Sequence, residues 1–121
     1  MHTITLEKGL ATFLNALTGK NRSAATLRAY QTDISQFISF LHANNVSIHT
    51  SADVQKVDVI EYLSWLAKKE LTGIARARKM SALREYFRFL EGVGVISKSP
   101  TTGIETPKRE KNGRQVLRSD E

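Results

Sequence analysis

Cysteine is absent from this 121-residue chain. That excludes a disulfide framework and thiolate metal ligands, and it fits a reducing compartment. No apolar run is long enough to span a bilayer. The N-terminus has no continuous apolar stretch ending in a small-residue cleavage site, so no secretory signal is expected and a cytoplasmic location is. Histidine is scarce: His2, His42 and His49 lie far apart, none at ligand spacing from a carboxylate. Neither a metal nor a cofactor is therefore expected. There is no glycine-rich phosphate loop and no local Ser/His/Asp or Cys/His grouping. Tyr30, Tyr62 and Tyr86 fall within helical periodicity, where packing is the ordinary role, and no neighbour in the sequence activates any of them as a nucleophile. The chain is not expected to be catalytic by itself.

What the chain does carry is positive charge, unevenly spread. Eighteen Lys/Arg stand against twelve Asp/Glu, a formal net charge of +6. Residues 1–60 hold five basic and four acidic groups, so residues 61–121 hold thirteen and eight. An excess gathered in one half favours an anionic partner, nucleic acid or an acidic surface.

The hydrophobic period is helical almost throughout, and no alternating strand pattern or internal repeat is present. Leu6, Leu10, Phe13, Leu14 and Leu17 form the stripe of a first helix that Gly19 ends. Ser23 reads as the N-cap of a second helix, which turns Leu27, Tyr30, Ile34, Phe37, Ile38 and Leu41 inward and stops near Asn44-Asn45. Residues 46–56 read as a loop with a short turn at 51–54. A third helix is expected from about Val57 to Lys69, its apolar face made of Val59, Ile60, Leu63 and Leu66. A fourth starts near Thr72-Gly73 and ends at Gly92 or Gly94, glycines suited to a left-handed cap. After Pro100 the period is lost, and residues 106–121 read as a linker or tail. One domain with a single modest core follows. The fold class is all-α, four principal helices packed as two hairpins.

The fourth segment, I-A-R-A-R-K-M-S-A-L-R-E-Y-F-R-F-L at 74–90, is the most informative. Ile74, Ala77, Met80, Leu83, Phe87 and Leu90 recur at spacings of three and four and line one face. Arg78, Ser81, Arg84, Glu85 and Arg88 fall largely opposite, with Arg76 and Lys79 nearer the seam. Guanidinium groups on one stripe of a packed helix suit a surface dense in phosphates. The same pattern also describes a solvated face on a core helix.

Four pieces in order carry a family resemblance: S-A-A-T-L-R-A-Y-Q-T-D-I-S-Q-F-I-S-F-L at 23–41, V-I-E-Y-L-S-W-L at 59–66, A-R-K-M-S-A-L-R-E-Y-F-R-F-L at 77–90, and G-V-I-S-K-S-P-T-T-G-I-E-T-P-K-R at 94–109. Together they resemble the N-terminal core-binding domain of tyrosine recombinases, the phage-integrase and Xer-type enzymes, over roughly residues 3–117. The resemblance implies a SAM-like orthogonal bundle of two helical hairpins spanning residues 1–105. It also implies an interdomain linker at 106–121 leading to a catalytic domain absent from the sequence. Residues 116–121 resemble the entry to that domain, so strand cleavage is not expected from this piece.

Such domains close around duplex DNA as half of a clamp, with the second and fourth helices facing the major groove. Carried onto this sequence, the DNA contacts are Ser23, Thr26, Arg28 and Tyr30 from the second helix. The fourth helix supplies Arg78, Lys79, Ser81 and Arg84; the charge pattern of this sequence adds Arg76 and Arg88, and the basic tail adds Lys108 and Arg109. A helix N-terminus offers unpaired amides and a positive dipole to phosphate, and Ser/Thr hydroxyls add short hydrogen bonds. Arg78 or Arg84 suits a guanine edge, whereas Lys79 suits phosphate neutralisation.

Bland alternatives stand beside these roles. Ser23 is a cap in either case, Tyr30 fits a packing role, and Arg84 fits an internal ion pair with Glu85 or Glu91. Lys108, Arg109, Lys111 and Arg114 fit a backbone-tracking linker or a disordered basic tail. The family commonly has Thr-Ile where this chain has Ala75 and Arg76; Arg76 replaces the lost hydroxyl electrostatically. The implied partners are double-stranded DNA, the catalytic domain of the same protein, and other protomers on DNA, through the first helix. The alternative function is a helical protein–protein interaction module without DNA binding. A helix-turn-helix repressor fits poorly, because these helices are long and the 46–56 connection is wide.

Overall fold

Capping residues place the helix boundaries. In the computed structural model, which describes residues 4–44 and 47–105, the Thr5 hydroxyl accepts from the Lys8 amide at 3.0 Å and opens α1, Leu6–Gly19. Ser23 caps α2, Ala24–Asn44, by accepting from the Thr26 amide at 3.1 Å. A 3-10 turn at Ser51–Asp53 precedes α3, Lys56–Lys68, where the Asp58 carboxylate reaches back to accept from the Gln55 amide at 2.8 Å. Thr72 accepts from the Ala75 amide at 3.0 Å and starts α4, Gly73–Gly92. Each cap satisfies a first-turn amide that has no partner inside the helix. Among the described residues there is no β-strand, only an isolated bridge between Thr5 and Thr50.

The helices pack as two hairpins, α1 on α2 and α3 on α4, with α4 also lying against both members of the first pair. Leu6, Ile34, Phe37, Val59, Tyr62, Leu66, Met80, Leu83, Tyr86, Phe87 and Leu90 are fully buried at the shared centre. Rings interlock there: Phe37 meets Tyr62 edge-on at 5.0 Å between centroids and Phe87 at 6.0 Å. Each such side chain contributes about 1.5–3 kcal/mol through burial.

Several details differ from the sequence expectation. On α3 the buried residues are Val59, Tyr62 and Leu66, whereas Ile60 is 48% exposed and Leu63 only half-buried. The packed stripe runs through Tyr62, and each residue is rotated about 100° from the next, so Ile60 turns outward. On α4, Ile74 is exposed in the first turn and Tyr86 takes a core place. Gly19 ends α1 as expected, and the left-handed residue that follows is Asn21 (φ 61°), whose short polar side chain tolerates that conformation. After α4 it is Gly94 (φ 85°).

Gly9 has a separate reason. A β-carbon there would stand 2.9 Å from the Tyr86 hydroxyl, which donates to the Leu6 carbonyl at 2.8 Å. The first helix and the fourth touch where only a hydrogen fits.

Candidate nucleic-acid interface

An acid in the core organises the face that bears the predicted contacts. Asp33, on α2, is 2% exposed. Its Oδ2 accepts from Arg78 Nε at 3.2 Å, and its Oδ1 accepts from Arg78 Nη2 at 3.0 Å and Lys79 Nζ at 3.0 Å. Two cations on one carboxylate repay the desolvation of a charge held among apolar side chains. They also fasten α2 to α4. Lys79, expected to neutralise phosphate, is instead 8% exposed with its ammonium on Asp33. The Arg78 side chain remains 60% exposed.

On the outer side of α4, Ile74, Arg78, Ser81, Glu85 and Arg88 recur at spacings of four and three and make one exposed stripe. Between this stripe and the start of α2 runs a groove of about 210 Å³ lined by Thr26, Ala29, Tyr30, Asp33, Arg78 and Ser81. It continues past Arg78 into an open recess bordered by Arg28 and Thr32. Toward the other end of α4, Lys20, Arg22 and Arg88 rim a recess floored by Phe13 and Phe89. Arg88 is tied to Glu85 at 3.0 Å across an exposed helical pair, which holds it weakly. Lys20 and Arg22 did not figure among the sequence candidates. Their signal was available: both stand in the turn immediately before the Ser23 cap.

The remaining candidates divide. The Ser23 hydroxyl accepts from the Thr26 amide and donates to Thr26 Oγ1 at 2.9 Å, at the mouth of the groove. Tyr30 is half-buried, its ring edge-on to Phe13 at 5.4 Å, with the Arg22 guanidinium 5.9 Å from its centroid. Arg76 is half-buried and donates through Nε to the Leu71 carbonyl at 3.4 Å. Arg84 is half-buried and donates to the Ile104 carbonyl, which places it toward the turn after α4. Lys108, Arg109, Lys111 and Arg114 lie outside the described residues. So do His2 and the 106–121 segment.

Nucleophilic chemistry has no place at Tyr62 or Tyr86. Both are fully buried, with hydroxyls donating to Gln36 Oε1 at 3.3 Å and the Leu6 carbonyl at 2.8 Å. Burial pushes each phenol well above the ordinary tyrosine range. Among the described residues no group of three or more His, Asp or Glu is placed to hold a metal. No described helix is long and apolar enough to cross a membrane.

Comparison with known proteins agrees with this architecture. The family model for the phage integrase N-terminal SAM-like domain matches residues 10–92. A tyrosine recombinase XerC from Roseiflexus castenholzii is 36% identical over 89 residues, 74% of this chain and 28% of the relative. One from Pelobacter propionicus is 35% identical over 97 residues, 80% of this chain and 32% of the relative. A tyrosine recombinase XerD from Rhizobium meliloti is 32% identical over 98 residues, covering 80% and 30%. The chain thus spans about a third of the length of the curated relatives it matches.

Two solved structures share the fold. The N-terminal domain of a phage integrase/site-specific recombinase from Haloarcula marismortui superposes with a TM-score of 0.78 at 11% identity, over 88% of this chain and 100% of the other. A lambda integrase dimer bound to a COC′ core site gives 0.76 at 16% identity, over 90% of this chain and 29% of the other.

Proposed function

Because this chain belongs to the phage integrase N-terminal SAM-like domain family, we propose that it is the DNA-binding half-clamp of a tyrosine site-specific recombinase. It grips the major groove of one arm of a recombination site through α2 and α4. The observation that carries this reading is the shared groove. The start of α2 and the middle of α4 converge on it, Arg28 and Arg78 border it and its extension, and Lys20, Arg22 and Arg88 rim a separate recess toward the other end of α4.

Thr26 presents its hydroxyl, and the helix N-terminus that Ser23 caps its free amides, to phosphate, while Arg22, Arg28, Lys20 and Arg88 supply charge. Arg78 and Ser81 stand where base edges pass. Tyr30 supports the groove wall. Lys79 holds α2 to α4 from beneath the surface. Arg76 and Arg84 contribute at the margins. Residues 1–105 form the binding domain, and 106–121, with Lys108 and Arg109, form a linker along the backbone to a catalytic domain of the same protein. The threefold greater length of the relatives supports such a partner. Strand cleavage belongs to it, and α1 serves protomer contacts on DNA.

The test is an amide NMR titration with a short duplex, repeated at raised salt and with Arg78→Ala. Shifts gathered at 20–30 and 76–88, lost with salt and weakened by the substitution, are the expected result. Four phosphate-neutralising cations, Lys20, Arg22, Arg28 and Arg88, give a slope of log affinity on log salt near −3.6, roughly a 150-fold loss between 50 and 200 mM.

A second reading, a protein-interaction module, draws on Val57 and Ile60, exposed at 52% and 48% on α3. It predicts shifts on α3 with a protein partner and little response to salt.

A further inference from the structure

We propose that Asp33 is a positioning residue for sequence reading: it fixes the Arg78 guanidinium so that its outer edge addresses a guanine. The inference rests on the DNA-binding reading above. A guanidinium carries five N–H donors in one plane, one on Nε and two on each terminal nitrogen. Asp33 accepts one from Nε and one from Nη2. Three remain, and one from Nη1 and one from Nη2 form a parallel pair on the adjacent edge of the plane, which Asp33 leaves open. That pair matches the O6 and N7 acceptors a guanine shows in the major groove.

Rigidity separates this arginine from its neighbours. Asp33 is buried, and Lys79 holds its Oδ1 from a second side, so the carboxylate has no room to turn. The two-point contact passes that constraint to Arg78, whose side chain is still 60% exposed at the groove. Arg88 is also paired, but with an exposed Glu85 one turn away on the same helix, an anchor that moves with it. The buried acid additionally offsets part of the charge on Arg78 and weakens its pull toward phosphate. A cation that is oriented and partly neutralised is suited to reading a base. Lys79 acquires a function without touching DNA, since it locks the residue that locks the reader.

The experiment mixes the 121-residue chain at low salt with a pool of duplexes randomised over their central positions and sequences the bound fraction. Wild type should enrich guanine at one position roughly fivefold or more. Asp33→Asn raises the net charge from +6 to +7, so electrostatics alone predicts equal or tighter binding to the pool. Positioning predicts that the guanine enrichment disappears while total binding holds. Arg78→Lys keeps the charge, removes the fork and should lose the enrichment too.

Far-UV circular dichroism establishes that each variant folds. If Asp33→Asn does not fold, the Arg78 side-chain nitrogen signals of the wild type decide: hindered rotation is expected, and a fully averaged signal overturns the proposal. Enrichment that survives either substitution, or wild-type binding without guanine preference, overturns it as well. No binding to the pool at low salt would instead sink the DNA-binding reading itself.

Discussion

Replacing Asp33 by alanine leaves the Lys79 ammonium without its carboxylate in a site where the residue is only 8% exposed. Breaking a buried pair by removing one partner costs about 3–5 kcal/mol. Removing the other partner is not equivalent. In Lys79→Met the carboxylate keeps both hydrogen bonds to Arg78, and methionine fills most of the volume vacated by the lysine stem. The charge left behind is still paired, so the expected cost is below about 1.5 kcal/mol. The structure therefore predicts an asymmetry between two halves of one ion pair.

Urea titration followed by circular dichroism and by Trp65 fluorescence measures both. Trp65 packs against Phe40 and Tyr62, at 5.2 and 5.8 Å between ring centroids, and so reports on the α2–α3 contact. With a slope of about 1.5 kcal/mol per molar, Asp33→Ala should lower the midpoint by roughly 2–3 M and Lys79→Met by less than about 1 M. Equal losses, or a loss below about 1 kcal/mol for Asp33→Ala, would refute the reasoning.

Gly9→Ala should destabilise the fold by about 1–2 kcal/mol despite alanine's better helix propensity, because the added carbon meets the Tyr86 hydroxyl at 2.9 Å. In a Tyr86→Phe background the same change should be close to neutral, a coupling that a double-mutant cycle in urea reads directly. Thr72→Ala removes the hydroxyl that caps α4 and should cost about 1 kcal/mol by thermal or urea unfolding. The Asp53 carboxylate, held below the ordinary value of 3.8 by the amides of His49 and Thr50, stabilises the turn above that pH. This contribution is lost as pH falls through its lowered value, so the two amide signals should shift only under more acid conditions, and Asp53→Asn should abolish the shift.

Helix placement was legible because periodicity and capping chemistry are local. Ser23 and Thr72 announce their helices in the sequence and cap them in the structure. Which residues of a helix face inward was less so. Ile60 and Ile74 carry the apolar character of core residues, and only the packing of α3 and α4 shows that both are left exposed while Tyr62 and Tyr86, expected to pack, are fully buried. The exposed stripe through Arg78, Ser81 and Arg88 was visible as a spacing.

Its organiser was not, although Asp33 stands in register with Tyr30 and Phe37 on the inward face of α2. An acid there signals a buried partner, but the partner lies 45 positions away and no local rule reaches it. Lys79 was misplaced for the same reason: near the seam of a helix, one residue of rotation separates a solvated cation from a buried one.

The bond between the Tyr86 hydroxyl and the Leu6 carbonyl joins positions 80 residues apart, and that separation imposes an order on synthesis. A chain emerging from the ribosome N-terminus first can pair α1 with α2 as soon as both are out. It cannot close α1 against α4 until Tyr86 follows. Arg78 and Lys79 can reach Asp33 before that, but the contact of α4 with α1 forms only with this final closure. A nascent chain stalled short of Tyr86 carries most of the basic residues but lacks the contact that sets α1 against α4, so the finished arrangement of the two helices waits on the last turns of α4.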